Sequence, residues 1–496
     1  MRDRTSAPIV RAKRILGILI GAILAVALVL AINTARHPSR QMRVDTPPPL
    51  PVDADAAAAR LALALKCATV TGLPETDATE NEFARLREHL RVSFPRVHAS
   101  LKPEIVGGRS LLYTWQGTDP ALQPIMILAH MDVVPIAPGS EGDWKHPPFA
   151  GVIADGFIWG RGAWDDKANL VASLDAFEHL LAEGYRPRRT VYLASGADEE
   201  LGGAQGARRI AELLKERGAR LEYLLDEGLI ITQGVFPRLD PPLALIGIAE
   251  KGYVSVTLHL RGTPGHASMP PARTPIGIMS AALARLEEQP MPASIGGVVR
   301  DMMQIVGPET KGIDRVALAN LWLFEPLISA RLQKQPSTNA MLRTTTAPTL
   351  FHAGNKENVL PSDVEATVNF RLLPGESIAG VLEHVRKTIA DDRIELGTTP
   401  IRAEPSRMSR TDVPAYAAIE RSVRQVFPGT VVAPGLMIGA TDARHFADVA
   451  DNVYRFSPMQ AKPEDLARFH GTNERISVAN FIEMIRFYRQ LILNSM

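Results

Sequence analysis

Apolar and polar positions along this 496-residue chain follow three rhythms, and each rhythm predicts a different kind of element. Residues 15–32 carry no charge at all. As a helix they would extend about 27 Å, close to the hydrocarbon thickness of a bilayer, and with no polar face they suit lipid better than a soluble core. Between about 56 and 251, short continuous apolar runs (124–129, 190–195 and 221–225) alternate with stretches of helical spacing (56–67, 79–92, 166–182 and 206–217). Continuous runs are what strands buried on both faces show. Strand-helix alternation predicts an α/β fold with a mostly parallel sheet covered by helices on both sides. Gly184 and Gly218 stand just past two of the helical stretches, where a left-handed residue ends a helix.

From about Gly252 the rhythm becomes strict alternation, over 253–260 and again over 363–371. Alternation gives one buried and one wet face, as in antiparallel sheet. With a helical apolar stripe at 274–288 between the two strands, it predicts a smaller α+β domain at about 252–400, inserted into the first. No role can be read for the stretch from about 290 to 350. A further apolar helix at 478–493 reads as core packing, and Trp115 and Trp144 need no function.

Candidate chemistry lies where the continuous runs end. The first run delivers His130-Met131-Asp132, the second Asp198-Glu199-Glu200 and the third Asp226-Glu227. In an open α/β sheet, ligands bind outside the carboxyl ends of the strands. A lone acidic cluster on a loop is usually just solvated, but carboxylates crowded at one sheet edge repel each other unless cations neutralise them. Asp132 is spaced so that its carboxylate can accept the second ring N–H of His130 and fix the tautomer that coordinates metal. Of the adjacent pair Glu199 and Glu200, one can hold metal while the other holds a proton, a division suited to metal-assisted hydrolysis. Two more phrases, Gly160-Arg161-Gly162-Ala163-Trp164-Asp165-Asp166-Lys167 and His470-Gly471-Thr472-Asn473-Glu474, add carboxylate and imidazole. Zinc in hydrolases takes these donors and keeps a position open for water. Spacing alone does not say whether Asp165 or Asp166 bridges metals.

As a set, these phrases resemble the zinc aminoacylase and carboxypeptidase family, over about His130 to His470. The resemblance is nearest to the branch of carboxypeptidase S and the secreted N-acyl-amino-acid hydrolases. It implies an α/β di-zinc exopeptidase fold with an inserted lid. It also implies that Asp165 bridges two zinc ions, that His130 and Asp226 complete one site and Glu200 and His470 the other, and that Glu199 is the general acid/base. Cobalt or manganese are possible substitutes for zinc in a carboxylate-rich site. A cis peptide after the bridging aspartate follows from the same resemblance. So do a lid histidine, His266 in Gly-Thr-Pro-Gly-His-Ala-Ser, as an oxyanion donor that in many relatives enters a neighbouring subunit's site, and an amide from Asn358 in Asn-Val-Leu-Pro. Gly439 and Thr441 would form a substrate loop whose backbone N–H groups cup a carboxylate. Arg371, on the polar face of its strand, suits the free carboxylate that every N-acyl amino acid and peptide C-terminus presents, or is a surface charge. His266 could equally be a loop histidine bonded within its own turn, and the Gly439 phrase a plain turn. Trp164 either shapes the pocket wall or packs beneath it.

Charge and composition narrow the setting. Fifty-five basic residues against 54 acidic ones leave no field for nucleic acid, and one cysteine, Cys67, excludes an intrachain disulfide and a Cys-rich zinc site. Arg2, Arg4, Arg11, Lys13 and Arg14 precede the apolar span, which favours a cytoplasmic N-terminus and an exported body. No clean small-x-small site follows the span, so an uncleaved anchor is expected over a removed signal peptide. The expected order is a basic tail (1–14), a transmembrane anchor (15–32), a Pro-rich linker (33–54) that spaces the enzyme from the lipid, a catalytic domain (55–251 and 401–496) and the lid (252–400). The function expected is hydrolysis of an amide beside a free carboxylate, on short peptides or on N-acyl amino acids, by a monomer or a homodimer. Its rivals are a catalytically silent anchored binding protein with the same fold, and a one-metal enzyme.

Overall fold

The computed structural model describes residues 6–72, 74, 76–236 and 238–496. Its central sheet has eight strands in the order Glu104–Val106, Ser110–Trp115, Val191–Gly196, Ile125–His130, Leu221–Thr232, Ala450–Ala461, Leu243–Glu250, Val431–Met437. The middle pairs are parallel, as is the last pair. The first two strands enter antiparallel, and the strand Leu243–Glu250 meets its inner neighbour antiparallel. The α/β expectation therefore holds, with a sheet that is mostly rather than wholly parallel.

Period two along the strands splits the core into two layers. Ile125, Ile127 and Leu193 pack with Leu61, Leu170, Ile419 and Ile485 from the helices Ala54–Leu65, Lys167–Ala182, Pro414–Val426 and Val478–Asn494. Met126, Leu128 and Ala194 point the other way, onto Ile210 and Leu214 of the helix Ala207–Glu216 and onto Phe446. Each such side chain, fully buried, contributes roughly 1.5–3 kcal/mol by removal from water. Gly184 (φ 72°) and Gly218 (φ 68°) end their helices in the left-handed region. The chain then bonds back, from Tyr185 N–H to Leu180 O at 3.0 Å and from Ala219 N–H to Leu214 O at 2.9 Å.

A separate antiparallel sheet, ordered Thr345–Ala353, Asp363–Leu372, Gly252–Arg261, Ile394–Ala403, buries Val254, Val256, Leu258 and Leu260 on one face. The helices Pro275–Glu288 and Ile378–Ile389 cover that face through Met279, Leu286 and Val385. Between its strands, residues without a legible rhythm form the helices Gly297–Val306, Gly312–Ala319, Leu321–Leu332 and Pro336–Leu342. Their apolar side (Val299, Met302, Met303, Val306 and Leu318) packs not on this sheet but on Leu243, Val431 and Ala433 at the edge of the central one.

The N-terminal helix runs Ser6–Ala35, and its stretch Lys13–Ala35 is long and apolar enough to cross a membrane. The linker after it is not a spacer held away from the body. Gln41 exchanges hydrogen bonds with the backbone of Val432 (3.0 and 2.8 Å), Met42 N–H donates to Glu420 (3.1 Å), and the carbonyl of Leu50 accepts from Arg486 (3.0 Å). Prolines leave this segment extended, and it is fastened to the edge strand through Gln41 and to the helices Pro414–Val426 and Val478–Asn494 through Met42 and Leu50.

Candidate metal centre and active site

Four of the metal-ligand candidates, His130, Asp165, Glu200 and His470, meet at the carboxyl end of the parallel strands, with Asp226 buried nearby. His130 is the last residue of its strand, and Glu199 and Glu200 sit on the first turn after theirs. Asp226 departs from expectation. Its strand does not stop at Leu225 but continues to Thr232, and Asp226 lies where pairing with Ala450–Ala461 slips, between Arg455 and Phe456. That bulge turns residues 226–228 toward the strand ends without ending the strand.

Asp165 is the hub. One of its oxygens lies 2.7 Å from His130 Nε2 and the other 2.7 Å from His470 Nε2, and the peptide bond to Asp166 is cis. The neighbouring carboxylate is committed elsewhere: Asp166 accepts the backbone N–H of His130 at 3.1 Å and an amide hydrogen from Asn169. Geometry thus singles out Asp165 as the carboxylate lying between two imidazoles. Ligand atoms of His130, Asp165 and Glu200 lie within 4.8 Å of one another, and His470 Nε2 is 3.5 Å from Glu200. Asp226 is buried and anchored by the N–H groups of Glu227 (2.9 Å) and Ala443 (2.7 Å).

Asp132 orients this group by a route other than the expected one. His130 Nδ1 donates to the backbone carbonyl of Asp132 at 3.0 Å, whereas the Asp132 carboxylate is 3.4 Å away. A carbonyl can only accept, so Nδ1 keeps its proton; Nε2 donates to Asp165 in the metal-free arrangement and is the nitrogen free to coordinate once that second proton is lost. The Asp132 carboxylate serves the next loop instead, taking the N–H groups of Glu199 and Glu200, both at 3.1 Å, and the hydroxyl of Thr71 at 2.8 Å.

The electrostatics ask for cations. Burial pushes the carboxyl of Glu199 well above its ordinary range; His130 opposes this, while Asp442, Asp165 and Glu200 add to it. Glu227, Asp166 and Asp442 are likewise raised by burial and by the surrounding carboxylates, and Asp226 is pushed up to about 6, first by burial. The hydrogen bond to Asp165, and then the Glu200 carboxylate 3.5 Å away, raise His470 to about 10, so without metal a proton occupies the place of a cation. Glu200 Oε1 is buried with no hydrogen-bond partner among the described residues. Oxygen and imidazole donors converging on Asp165 from both sides, with an unsatisfied buried oxygen, fit two divalent ions of the zinc type.

Sequence reasoning gave no role to the pair that braces this centre. Arg161 (2% exposed) and Glu474 (0%) form a buried ion pair at 2.6 Å. Glu474 also accepts the N–H groups of Gly162, Trp164 and Asp165 at 3.0, 2.7 and 3.3 Å, while Arg161 donates to the carbonyl of His470 at 3.1 Å. The two ligand loops are tied together, and His470 is held at φ 56°, a region few side chains adopt. Both residues stood inside the quoted phrases, which was the available signal. Trp164 lines a cavity of about 350 Å³ with Phe157, Ile231 and Ile476, a cavity that none of the metal-ligand candidates lines.

Of the lid and hinge candidates, only the loop of Gly439 and Thr441 reaches the cluster, through the Ala443 N–H on Asp226. His266 and Asn358 lie exposed on a two-stranded ribbon, Gly265–His266 with Val359–Leu360. His266 Nδ1 accepts the N–H of Ser268 at 3.1 Å, which leaves Nε2 as the ring's donor. Arg371 is half-buried at the hinge, its guanidinium 4.7 Å from the centre of the Tyr253 ring, and burial lowers its pKa. The Thr441 hydroxyl donates to Glu250 at 2.9 Å, beside the buried pair of Glu250 with Arg455 at 2.7 Å, which leaves the backbone of the Gly439 loop for a ligand.

An open α/β sheet that carries, at its carboxyl edge, an aspartate between two imidazoles with two glutamates on the adjacent turn suits a metal-dependent hydrolase. Comparison with known proteins agrees. The profile of Peptidase family M20/M25/M40 matches residues 126–494. Probable carboxypeptidase S-like 2 of Dictyostelium discoideum is 39% identical over 484 residues, 95% of this chain and 92% of that protein. N-fatty-acyl-amino acid synthase/hydrolase PM20D1 of Xenopus tropicalis is 44% identical over 415 residues, covering 82% and 80%. The M20 family metallo-carboxypeptidase Sso-CP2 from Sulfolobus solfataricus shares the fold, with a TM-score of 0.64 at 19% identity over 88% of this chain and 98% of that one. The chain belongs to Peptidase family M20/M25/M40, in its carboxypeptidase S and N-acyl-amino-acid hydrolase branch, and is an enzyme of that class.

Glu474→Gln keeps the shape of the side chain but leaves Arg161 as a buried, unpaired cation. It should destabilise the protein by about 3–5 kcal/mol, measured as a lowered urea midpoint; an unchanged midpoint would show that the pair does not brace the centre.

Proposed function

We propose that the protein is a di-zinc hydrolase of amide bonds beside a free carboxylate, acting on short peptides or on N-acyl amino acids. The observation that carries this reading is the Asp165 carboxylate, set at 2.7 Å from both His130 and His470, with Glu199 on the adjacent turn. In this reading Asp165 would be shared by two ions, one of which His130 and Asp226 would hold and the other Glu200 and His470. Bound zinc supplies a water of lowered pKa and polarises the substrate carbonyl.

The chain's own residues do the rest. Glu199, its backbone fixed by Asp132, removes the proton from the attacking water and returns it to the leaving nitrogen. Its raised pKa, caused first by burial, suits a group that must hold that proton between the two steps. Arg371 and the backbone of Gly439 and Thr441 receive the substrate's carboxylate, and Asn358 orients its amide. His266 donates through Nε2 to the oxyanion. Because His266 is exposed on the lid, that step needs either closure of the 252–400 unit or a second copy of the chain in a homodimer. The relatives carry both carboxypeptidase and fatty-acyl-amino acid hydrolase in their names, which supports both substrate classes.

The N-terminal helix is retained as an anchor in this reading, with the body exported. Asn33 donates to Asn320 at 2.9 Å and Gln41 to Val432 at 3.0 Å, so the end of the helix and the linker are built into the body. Removal as a signal peptide would discard the contact of Asn33 with Asn320.

Glu199→Gln should keep its metal and lose turnover by roughly 10²–10⁴-fold; turnover near wild type would remove Glu199 as the base. His470→Ala should lower bound zinc from about two ions per chain to about one, read by elemental analysis, and unchanged zinc would strike His470 from the ligands. Released amino acid, measured by mass spectrometry over a mixed panel of dipeptides and N-acyl amino acids, should appear with the parent and not with Glu199→Gln. No release from either class would overturn the proposed reaction.

A further inference from the structure

The helix Leu321–Leu332, Leu-Trp-Leu-Phe-Glu-Pro-Leu-Ile-Ser-Ala-Arg-Leu, is apolar around most of its circumference, yet only Leu321 is buried. Trp322 is 61% exposed, Leu323 42% and Leu327 68%, and Ile313 on the preceding helix is 65% exposed. Leu321, Ile328 and Leu332 pack on the core of the insertion, but that core does not cover Trp322, Leu323 and Leu327, and a cluster of large apolar side chains left bare marks a surface that meets a partner or lipid.

Its place in the fold identifies which. The Asn320 amide donates to the carbonyl of Leu30 at 3.3 Å and to the Thr34 hydroxyl at 3.4 Å, and its oxygen accepts from Asn33 at 2.9 Å and from the Trp322 indole at 3.3 Å. One turn further along, a His37 ring nitrogen bonds the carbonyl of Gln304 at 2.9 Å. The exposed apolar residues are thus fastened to the last turns of the Lys13–Ala35 span. If that span crosses a bilayer, residues 30–34 lie at its outer boundary, and whatever is bonded to them lies at the same height. The groove between span and insertion is about 420 Å³ and is lined by Arg36, His37, Arg40 and Arg300. Arg36 and Arg40 make no ion pair among the described residues, whereas Arg300 is paired with Glu325 at 2.7 Å. An indole with its N–H satisfied, aliphatic side chains beside it and arginines a few residues away are the chemistry of a membrane interface, where rings and methyls enter the acyl boundary and guanidiniums meet phosphates.

We propose that the insertion Gly297–Leu342 is a membrane-docking platform, with Ile313, Trp322, Leu323 and Leu327 seated in the outer-leaflet interface of the bilayer that the N-terminal helix crosses. The inference rests on the reading of that helix as a retained anchor. It adds that the catalytic body is clamped to the lipid at a second point, with fixed orientation, instead of swinging on a tether. An amphiphilic substrate partitioned in the leaflet would then meet the enzyme at a constant height.

The test uses the full-length chain in vesicles of phosphatidylcholine and phosphatidylglycerol, with Cys67 replaced by serine and a fluorophore placed in turn at Leu327→Cys, Ile23→Cys and Val92→Cys. Val92 is exposed on the helix Asp77–Ser93 of the catalytic body. Lipids brominated on their acyl chains should quench the labels at 23 and 327 several-fold more than the label at 92. Quenching at 23 with position 327 no different from 92 would overturn the platform while leaving the anchor. No quenching at 23 would remove the anchor and the platform with it.

Discussion

Too many carboxylates share one edge of the sheet. Asp165, Asp166, Asp226, Glu227, Glu199 and Asp442 raise or feel one another's charge in a dehydrated pocket, and burial makes each more costly to ionise. Such a cluster is stable only if protons or metal ions compensate it. Protonated histidines do part of this in the metal-free arrangement, which is why His470 is drawn up to about 10. Divalent ions replacing those protons would satisfy the same carboxylates, so metal binding and the integrity of this edge are one property rather than two.

Holding that edge in shape takes buried charge of its own. Glu474 collects three backbone N–H groups from the loop of Asp165 and pairs with Arg161, which reaches the loop of His470. On the far side, Arg455, Glu250 and Thr441 form a second network where the central sheet passes into the lid. Both networks end in loops that bear the proposed metal ligands or substrate contacts. The supporting interactions therefore lie in well-packed elements, and the proposed reaction leaves its closing step to the lid.

Much of this was legible because it is local. Continuous apolar runs ending in acidic or imidazole residues mark strands and their functional ends in one stretch of sequence, and the alternating strands of the lid are as plain. What stayed hidden depends on distant partners. The strand Val431–Met437 contains Pro434 and Gly435, which argue against a strand until the structure shows it to be an edge strand, where proline is tolerated. The insertion at 290–350 reads as nothing because its burial is decided by that same edge strand, far along the chain. Asp165 and Asp166 are alike by pattern and differ only once the fold turns one toward two imidazoles and the other toward the His130 backbone. The carbonyl of Asp132, which does the work expected of its side chain, has no signature in a sequence.

The central claim is that the carboxylate crowd exists to hold two metal ions on either side of Asp165. Anomalous diffraction at the zinc absorption edge, from crystals of the protein purified with zinc, would test it most directly. Two peaks flanking Asp165 about 3.5–4 Å apart, one near His130 and Asp226 and the other near Glu200 and His470, are the predicted result. A single peak, or density placed away from Asp165, would contradict it.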